Sequence, residues 1–334
     1  MGRRRTPAGG RVHDQEHDLR ECERGRSRRG HIRDSGFYEG VTPSGFLAID
    51  KPAGLTSHDV VAQIRRAFGR GSRVGHLGTL DPLATGLLVL CIGAGTRLAE
   101  WATNDSKEYL VDITLGTATD TYDAGGTVTS VRLVAVERGE IERTLADMLG
   151  TIAQRPPPFS AIKQAGQRAY VAARRGESVD LAPRTVHIEA LDIHSFESPV
   201  IALRVACSKG TYVRSLAHDL GETLGCGAHV SALRRTRSGD FRLDEALPLE
   251  SAVEILRAKD WSILIPSDRV ARRWPRIDLD EVSCEAVRHG KPIDGAAPAD
   301  PAAITAGWAP DGHLAAILVW REGRWWPRKV FTDR

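Results

Sequence analysis

The sequence predicts an α+β fold: a main body of strands and amphipathic helices, followed by a second, small, mostly β domain. Three observations carry that expectation. Residues 109–115 alternate apolar and polar as a half-buried strand does. Residues 57–69 and 212–224 place apolar side chains at helical spacing. Beyond about residue 250 the composition shifts, and six of the seven tryptophans lie there. With 334 residues and 41% hydrophobic content, the chain is long enough to bury a core in two domains plus appendages.

Residues 1–40 hold almost no apolar periodicity and read as a disordered, arginine-rich arm. Residues 1–34 carry ten Arg against six Asp or Glu, so the arm alone exceeds the chain's net charge of +3 and leaves the body slightly negative. Net charge is therefore weak evidence for nucleic acid, and a basic surface on the body must come from asymmetry. The arm itself reads as a solvated tail, an unrelated extension, or an element that holds RNA phosphates. Five cysteines without C-x-x-C spacing indicate neither a disulfide framework nor a zinc site, which fits a reducing, cytosolic setting. The apolar run 87–92 is too short to span a bilayer, and no apolar stretch follows the first arginines as a secretory signal requires.

Order is expected from residues 45–52, a short strand ending in a turn. Residues 57–69 follow as a helix that Ser57 can cap and Gly69 can end, with Val60, Val61, Ile64 and Phe68 on one face. Arg65, Arg66, Arg70 and Arg73 cluster near its C-terminal end, where they suit the helix dipole and could equally meet phosphate. After the 87–92 run and the 109–115 strand, residues 119–126 have turn chemistry, to which Asp120 and Asp123 belong. Residues 136–149 read as a helix, three prolines at 156–158 enforce an extended segment, and 169–175 read as a short basic helix. Strands are expected at 186–196 and 201–207. The helix 212–224 brings Arg214, His218 and Asp219 near one another. Residues 295–301 resemble a surface loop, and 313–320 with 324–331 form a terminal hairpin around Arg321, Glu322 and Gly323.

The chain is organised around residues 75–86, GHLGTLDPLATG. This loop carries one carboxylate, Asp81, at the lip of the buried run, where a lone charge is costly unless it is used or paired. Pro82 biases Asp81 toward an extended backbone, and Gly78 and Gly86 permit tight turns or close approach of another chain segment. The local pattern leaves Asp81 open as either a structural turn residue or a catalytic one.

Five blocks in order resemble the TruB family, the bacterial tRNA pseudouridine-55 synthases, over roughly residues 44–245. Residues 47–57 (LAIDKPAGLTS) are similar to its opening motif and 75–86 to its catalytic-aspartate loop. Residues 107–109 (KEY) are similar to its tyrosine motif and 207–216 (CSKGTYVRSL) to its basic motif; 233–236 (LRRT) with Gly239 and Phe241 complete the set. The resemblance implies the pseudouridine-synthase fold, a mixed, mainly antiparallel sheet flanked by helices over residues 41–250, with a thumb at about 155–180. It also implies a small PUA-like RNA-binding domain over 251–334.

The implied activity is isomerisation of uridine to pseudouridine at position 55 in the T loop of tRNA. By resemblance Asp81 is the catalytic carboxylate, acting as nucleophile at sugar or base or as a base at C2′, and Arg214 supplies its counter-charge. Tyr109 would stack on the target base and assist proton removal at C5, with Tyr212 and Leu233 completing the uracil pocket. His76 would sit near displaced bases. Lys163, with Arg168, Arg174 and Arg175, would meet phosphates from the thumb. The reaction involves no redox change and no second acceptor, so no cofactor and no metal are expected. A glycosidase would want two facing carboxylates, and this loop has one. The expected partner is the tRNA T stem-loop, met by a cytoplasmic monomer with no membrane and no obligatory protein partner.

Read without the resemblance, each residue keeps a plainer role. Tyr109 and Leu233 could be core, His76 an ordinary loop histidine, and Arg214 a surface arginine paired with His218 or Asp219. Asp50, Lys51 and Pro52 suit structure better than chemistry. Two rival functions also stand: a guide-RNA-dependent pseudouridine synthase working in a ribonucleoprotein, and a non-catalytic tRNA-binding or folding protein of the same fold.

Overall fold

The computed structural model describes residues 43–331, apart from 70, 104, 161, 165–166, 169–174 and 176–180. The arm 1–40, the residues Arg70, Gly166, Tyr170 and Arg174, and the expected basic helix at 169–175 (Arg175 excepted) lie outside the described residues, as do the side chains of Lys163 and Arg168.

Strand β1 (Gly45–Lys51) leads into helix α1 (Ser57–Phe68). Thr56 caps this helix, and Ser57, expected as the cap, is its first residue. Thr56 and Asp59 form a reciprocal capping box, the Thr56 hydroxyl accepting from the Asp59 N–H at 3.1 Å and the Asp59 carboxylate from the Thr56 N–H at 2.9 Å. Ser57 is free to turn inward, where its hydroxyl accepts from Leu80 N–H (2.7 Å) and donates to Leu80 C=O (3.0 Å). The helix start is thereby tied to the Asp81 loop, which runs between β2 (Val74–His76) and β3 (Thr85–Ile92).

A single-turn helix α2 (Ala99–Ala102) precedes β4 (Lys107–Leu115). The segment with turn chemistry is the connection of a small hairpin, β5 (Thr117–Thr119) and β6 (Val128–Val131). Helix α3 (Arg138–Asp147) and strand β7 (Gly150–Gln154) follow, then the two-residue strands β8 (Lys163–Gln164) and β9 (Gln167–Arg168). The long pair β10 (Arg184–Glu197) and β11 (Val200–Cys207) leads to α4 (Val213–Thr223) and β12 (Ala228–Ser238). Short strands β13 (Phe241–Arg242) and β14 (Leu247–Pro248) precede α5 (Leu249–Arg257) and the one-turn α6 (Asp268–Ala271). The chain ends with β15 (Arg276–Asp278), α7 (Glu281–Arg288), β16 (Ile304–Trp308), β17 (Leu314–Arg321) and β18 (Arg324–Val330).

The main sheet runs β14-β1-β3-β12-β4-β11-β10-β7, with β2 and β13 paired at its margins. Only the β1–β14 and β3–β12 pairs are parallel, so the sheet is mixed and mainly antiparallel, as expected. A separate four-stranded sheet, β15-β16-β17-β18, supplies the expected small β element. Its last hairpin turns through Glu322 and Gly323 at φ 52° and 75°, a conformation suited to a tight two-residue connection.

Alternation along β1 and β3 divides the core between the two faces of the main sheet. Leu47, Ile49, Leu88 and Leu90 point to the face covered by α1, α4 and α5, with Val60, Ile64, Leu216 and Leu256 against them. Phe46, Ala48, Leu87 and Val89 point the other way, into a second cluster with Val270, Ala306, Trp308 and Ile317. The small sheet is therefore packed onto the back of the main one. At this seam Trp101 and Trp274 meet edge to face, ring centres 5.3 Å apart, and the Arg328 guanidinium lies over Trp101 at 5.1 Å. Among the described residues, no helix is long and apolar enough to cross a membrane.

Candidate active site

The parallel contact of β3 with β12 is brief, with Arg234 opposite Thr85 and Arg235 opposite Gly86. Gly86 sits at φ 92°, and a side chain there would collide with the Arg235 backbone, so only glycine lets the Asp81 loop leave β3 this close to β12. The loop opens onto a cleft of about 270 Å³ at the middle of the sheet, lined among others by Asp81, Tyr109, Tyr212, Arg214 and Leu233. Five of the seven expected site residues thus meet in one place.

Arg214, in the first turn of α4, reaches Asp81 with Nε 2.8 Å from a carboxylate oxygen. Its side chain is 6% exposed, whereas that of Asp81 is 36% exposed, so the arginine is the buried scaffold and the carboxylate the accessible group. A buried guanidinium must have its donors satisfied. Its two terminal nitrogens do so with Thr121 C=O at 2.8 Å and Phe159 C=O at 3.1 Å, with a second carboxylate, Asp123, at 3.3 Å, while Nε meets Asp81 as an ion pair without hydrogen-bond geometry. Arg214 is paired with neither His218 nor Asp219. The α4 entry is itself anchored: Gln154 exchanges hydrogen bonds with the Tyr212 backbone at 2.8 and 3.0 Å, and the Ser215 hydroxyl donates to Arg155 C=O at 2.8 Å.

Ala84 N–H donates to the Asp81 carbonyl at 3.1 Å, closing a turn through Pro82 and Leu83. Beneath the loop, Lys51 is fully buried, its ammonium donating to the carbonyls of Pro52 (2.8 Å) and Leu55 (2.7 Å). Burial lowers this lysine to about 8, with Asp81 opposing the shift. On the other side Arg235, 1% exposed, donates from Nε to Leu87 C=O at 2.7 Å and reaches the loop carbonyls of Gly78 (3.2 Å) and Thr79 (3.4 Å). Arg235 therefore holds the loop by its backbone, with Lys51 3.5 Å from the Pro82 carbonyl, and the Asp81 carboxylate is left to Arg214.

Tyr109 faces Arg235 across the β4–β12 ladder and is 9% exposed. Burial pushes its phenol up, with the Arg235 guanidinium opposing, so at neutral pH the hydroxyl carries its proton. Leu233, two residues before Arg235 on the same face of β12, supplies the apolar wall at 8% exposure. Lys107, two residues before Tyr109, also lines the cleft; burial lowers it to about 8, and its ammonium donates to the carbonyls of Thr103 and Asp105.

His76 lies at the end of β2, paired with Leu90, and is not among the residues lining the cleft. Burial, reinforced by Arg235, lowers its imidazole below the ordinary value. Lys163 has its backbone in β8, opposite Arg168. Asp50 forms an ion pair with Arg234 at 2.7 Å, which fits its structural assignment. Among the described residues, no group of three or more His, Cys, Asp or Glu side chains is placed to hold a metal.

Asp123 and Arg235 carry roles that sequence reasoning did not assign. Asp123 does belong to a turn, accepting from Gly125 N–H at 3.0 Å, but its other oxygen faces Arg214. For Arg235 one signal was present: its spacing of two from Leu233 puts both on the inward face of a strand.

The model described as TruB family pseudouridylate synthase, N-terminal domain, matches residues 65–213, and that of the tRNA pseudouridylate synthase B C-terminal domain matches residues 214–264. The tRNA pseudouridine synthase B of Solibacter usitatus is 43% identical over 250 residues, 74% of this chain and 85% of that protein. The chain belongs to the TruB family. Its TruB relatives include those of Dehalococcoides mccartyi, 41% identical over 86% of this chain and 96% of the relative, and Pseudomonas paraeruginosa, 42% identical over 87% and 96%. A chain in the crystal structure of a Cbf5-Nop10-Gar1 complex shares the fold at TM-score 0.67 and 27% identity, covering 87% of this TruB-family chain and 85% of that one.

Proposed function

We propose that this protein isomerises uridine to pseudouridine in tRNA, with position 55 of the T loop as its target and Asp81 as the catalytic carboxylate. The observation that carries the reading is the Asp81–Arg214 ion pair at 2.8 Å, set in a cleft with two tyrosines, Tyr109 and Tyr212, and Leu233 around it. Isomerisation needs the N1–C1′ bond broken, the uracil turned, the C5–C1′ bond made, and the C5 proton removed while N1 gains one. Asp81 is the accessible anion for the first step, whether it attacks sugar or base or takes a proton from C2′. Arg214 holds that anion in a single orientation before substrate arrives.

Tyr109 and Leu233 form the two walls between which a flipped uracil fits, and Tyr212 closes the pocket at the start of α4. Tyr109, protonated at neutral pH, reaches the C5 proton only by passing its own proton onward, so its first contribution is a stacking surface. His76, outside the cleft, would meet bases displaced around the target, and Lys163 would meet phosphate from the thumb. Residues 41–250 carry the reaction in this scheme, and 251–334 add a second RNA contact. The enzyme works in the cytoplasm as a monomer, with tRNA as its partner and no cofactor.

The test is pseudouridine formation in a T-loop transcript by the purified chain alone. Wild type is expected to convert it without a guide RNA or another protein. Asp81→Asn should make no detectable product while binding tRNA within about threefold of wild type, since one carboxylate contributes little to an interface dominated by phosphate contacts. Product from Asp81→Asn would sink the assignment. Wild-type activity that appeared only with an added guide RNA would favour the ribonucleoprotein reading instead.

A further inference from the structure

Arg214 is gripped by more than its own helix. Its Nη1 is shared by the Thr121 carbonyl and the Asp123 carboxylate, which flank one residue in the β5–β6 connection. That residue, Tyr122, occupies the left-handed region at φ 63°. That conformation is unfavourable for a residue that carries a side chain. Something must hold it there. The Tyr122 ring lies flat on the imidazole of His218, with ring centres 3.8 Å apart and planes 6° apart.

His218 stands four residues beyond Arg214, one turn along the same helix. Helix α4 therefore holds the turn twice, through the guanidinium on both neighbours of Tyr122 and through the imidazole on Tyr122 itself. The turn's far side is fixed to β12, with Val230 N–H donating to Tyr122 C=O at 3.0 Å and Ala124 N–H to Val230 C=O at 2.9 Å. Burial keeps His218 below the ordinary imidazole value, so an uncharged ring meets Tyr122 at neutral pH. Its Nδ1 is buried without a hydrogen-bond partner among the described residues, so that edge of the ring is held by no polar contact.

We propose that the Tyr122–His218 stack is a positioning device, which sets the β5–β6 turn so that Thr121 and Asp123 present the Arg214 guanidinium to Asp81. Neither ring lines the cleft, and both act through Arg214. The kinetic consequence rests on the isomerase reading; the geometric one does not.

Four variants test it. Tyr122→Gly relieves the backbone and removes one ring, and His218→Ala removes the other. Tyr122→Phe and His218→Phe keep a flat ring on each side. For pseudouridine formation, Tyr122→Gly and His218→Ala are expected to lose about tenfold or more in kcat with KM for tRNA unchanged. Both Phe variants should stay within about threefold of wild type, and the double Gly/Ala variant should be no worse than the poorer single, because the rings act as a unit. In the free protein, solvent exchange of the Arg214 Nε–H, followed by NMR, should accelerate in the first pair and not in the Phe pair.

If wild type formed no pseudouridine, the isomerase reading would fail while the exchange measurement still judged the stack. Wild-type kcat and exchange in both Tyr122→Gly and His218→Ala would overturn the proposal. So would a raised KM at constant kcat, which would mark the rings as an RNA-stacking platform. A lowered melting temperature with kcat and exchange unaltered would mark them as ordinary packing, and would overturn it too.

Discussion

Asp81 is held almost entirely by groups that are not themselves exposed. Arg214 fixes its carboxylate, while Arg235 fixes the loop backbone, with Lys51 3.5 Å from the Pro82 carbonyl. Arg235 has a planar fork of donors that spans three separate carbonyls, which a single ammonium cannot reproduce. Arg235→Lys should therefore cost about 3 kcal/mol of stability in denaturant titration, the scale expected when a buried charge keeps its burial and loses part of its hydrogen bonding. Pseudouridine formation should fall by at least about a hundredfold, because the Asp81 loop loses its anchor. A variant with full activity would show that the loop holds itself. Asp81, Arg214, Tyr109, Tyr212 and Leu233 were legible in the sequence because motif blocks far apart in the chain pointed to one cleft. Arg235 and Asp123 stood inside segments already noticed, but the strand that pairs Arg235 with Leu233 on one face was itself not expected, and Asp123 read only as a turn residue.

Helices and strands with clean periodicity were legible to within a few residues, α1, α3, α4, β4 and β11 among them. Strand β12 was not expected, because Arg234, Arg235 and Arg237 interrupt its apolar pattern, and two register shifts against β4 break its alternation. The β5–β6 hairpin was read only as a turn for a similar reason: Val128 and Val131 are exposed, so its pattern carries no buried face. Helix α4 contains its own liability. Burial alone raises Asp219 to about 6, so the folded protein holds that proton more tightly than the unfolded chain. The group's contribution to stability is thus fully present below its ordinary carboxylate value and is lost as pH rises through 6. Asp219→Asn, which removes the charge, should raise the melting temperature at pH 8 by a few degrees, about the effect of 1 kcal/mol in a chain this size, with the gain vanishing near pH 4. A gain that was equal at both pH values would mean that packing, not charge, sets the effect.

Across the whole molecule, the two sheets share a core more intimately than a change in composition near residue 250 suggests. The described residues fall within one compact unit, and the second apolar cluster takes side chains from β1 and β3 as well as from β16 and β17. Sequence pattern reveals that alternate residues of a strand are apolar, but not what covers the second face. Removing residues 268–334 should leave Phe46, Ala48, Leu87 and Val89 facing water. We expect that truncated protein to be recovered as aggregate or to bind a hydrophobic dye strongly, whereas the full chain should melt in one calorimetric transition. A soluble truncated protein with an unchanged first transition would establish two independent units. The seam between the sheets also carries its own reporter. Trp101 and Trp274 cross at 5.3 Å with planes 71° apart, close enough for their excited states to couple. Any parting of the layers, in RNA binding or in unfolding, would decouple those indoles and erase their exciton couplet in the far-ultraviolet circular dichroism, giving an optical gauge of domain separation without any label.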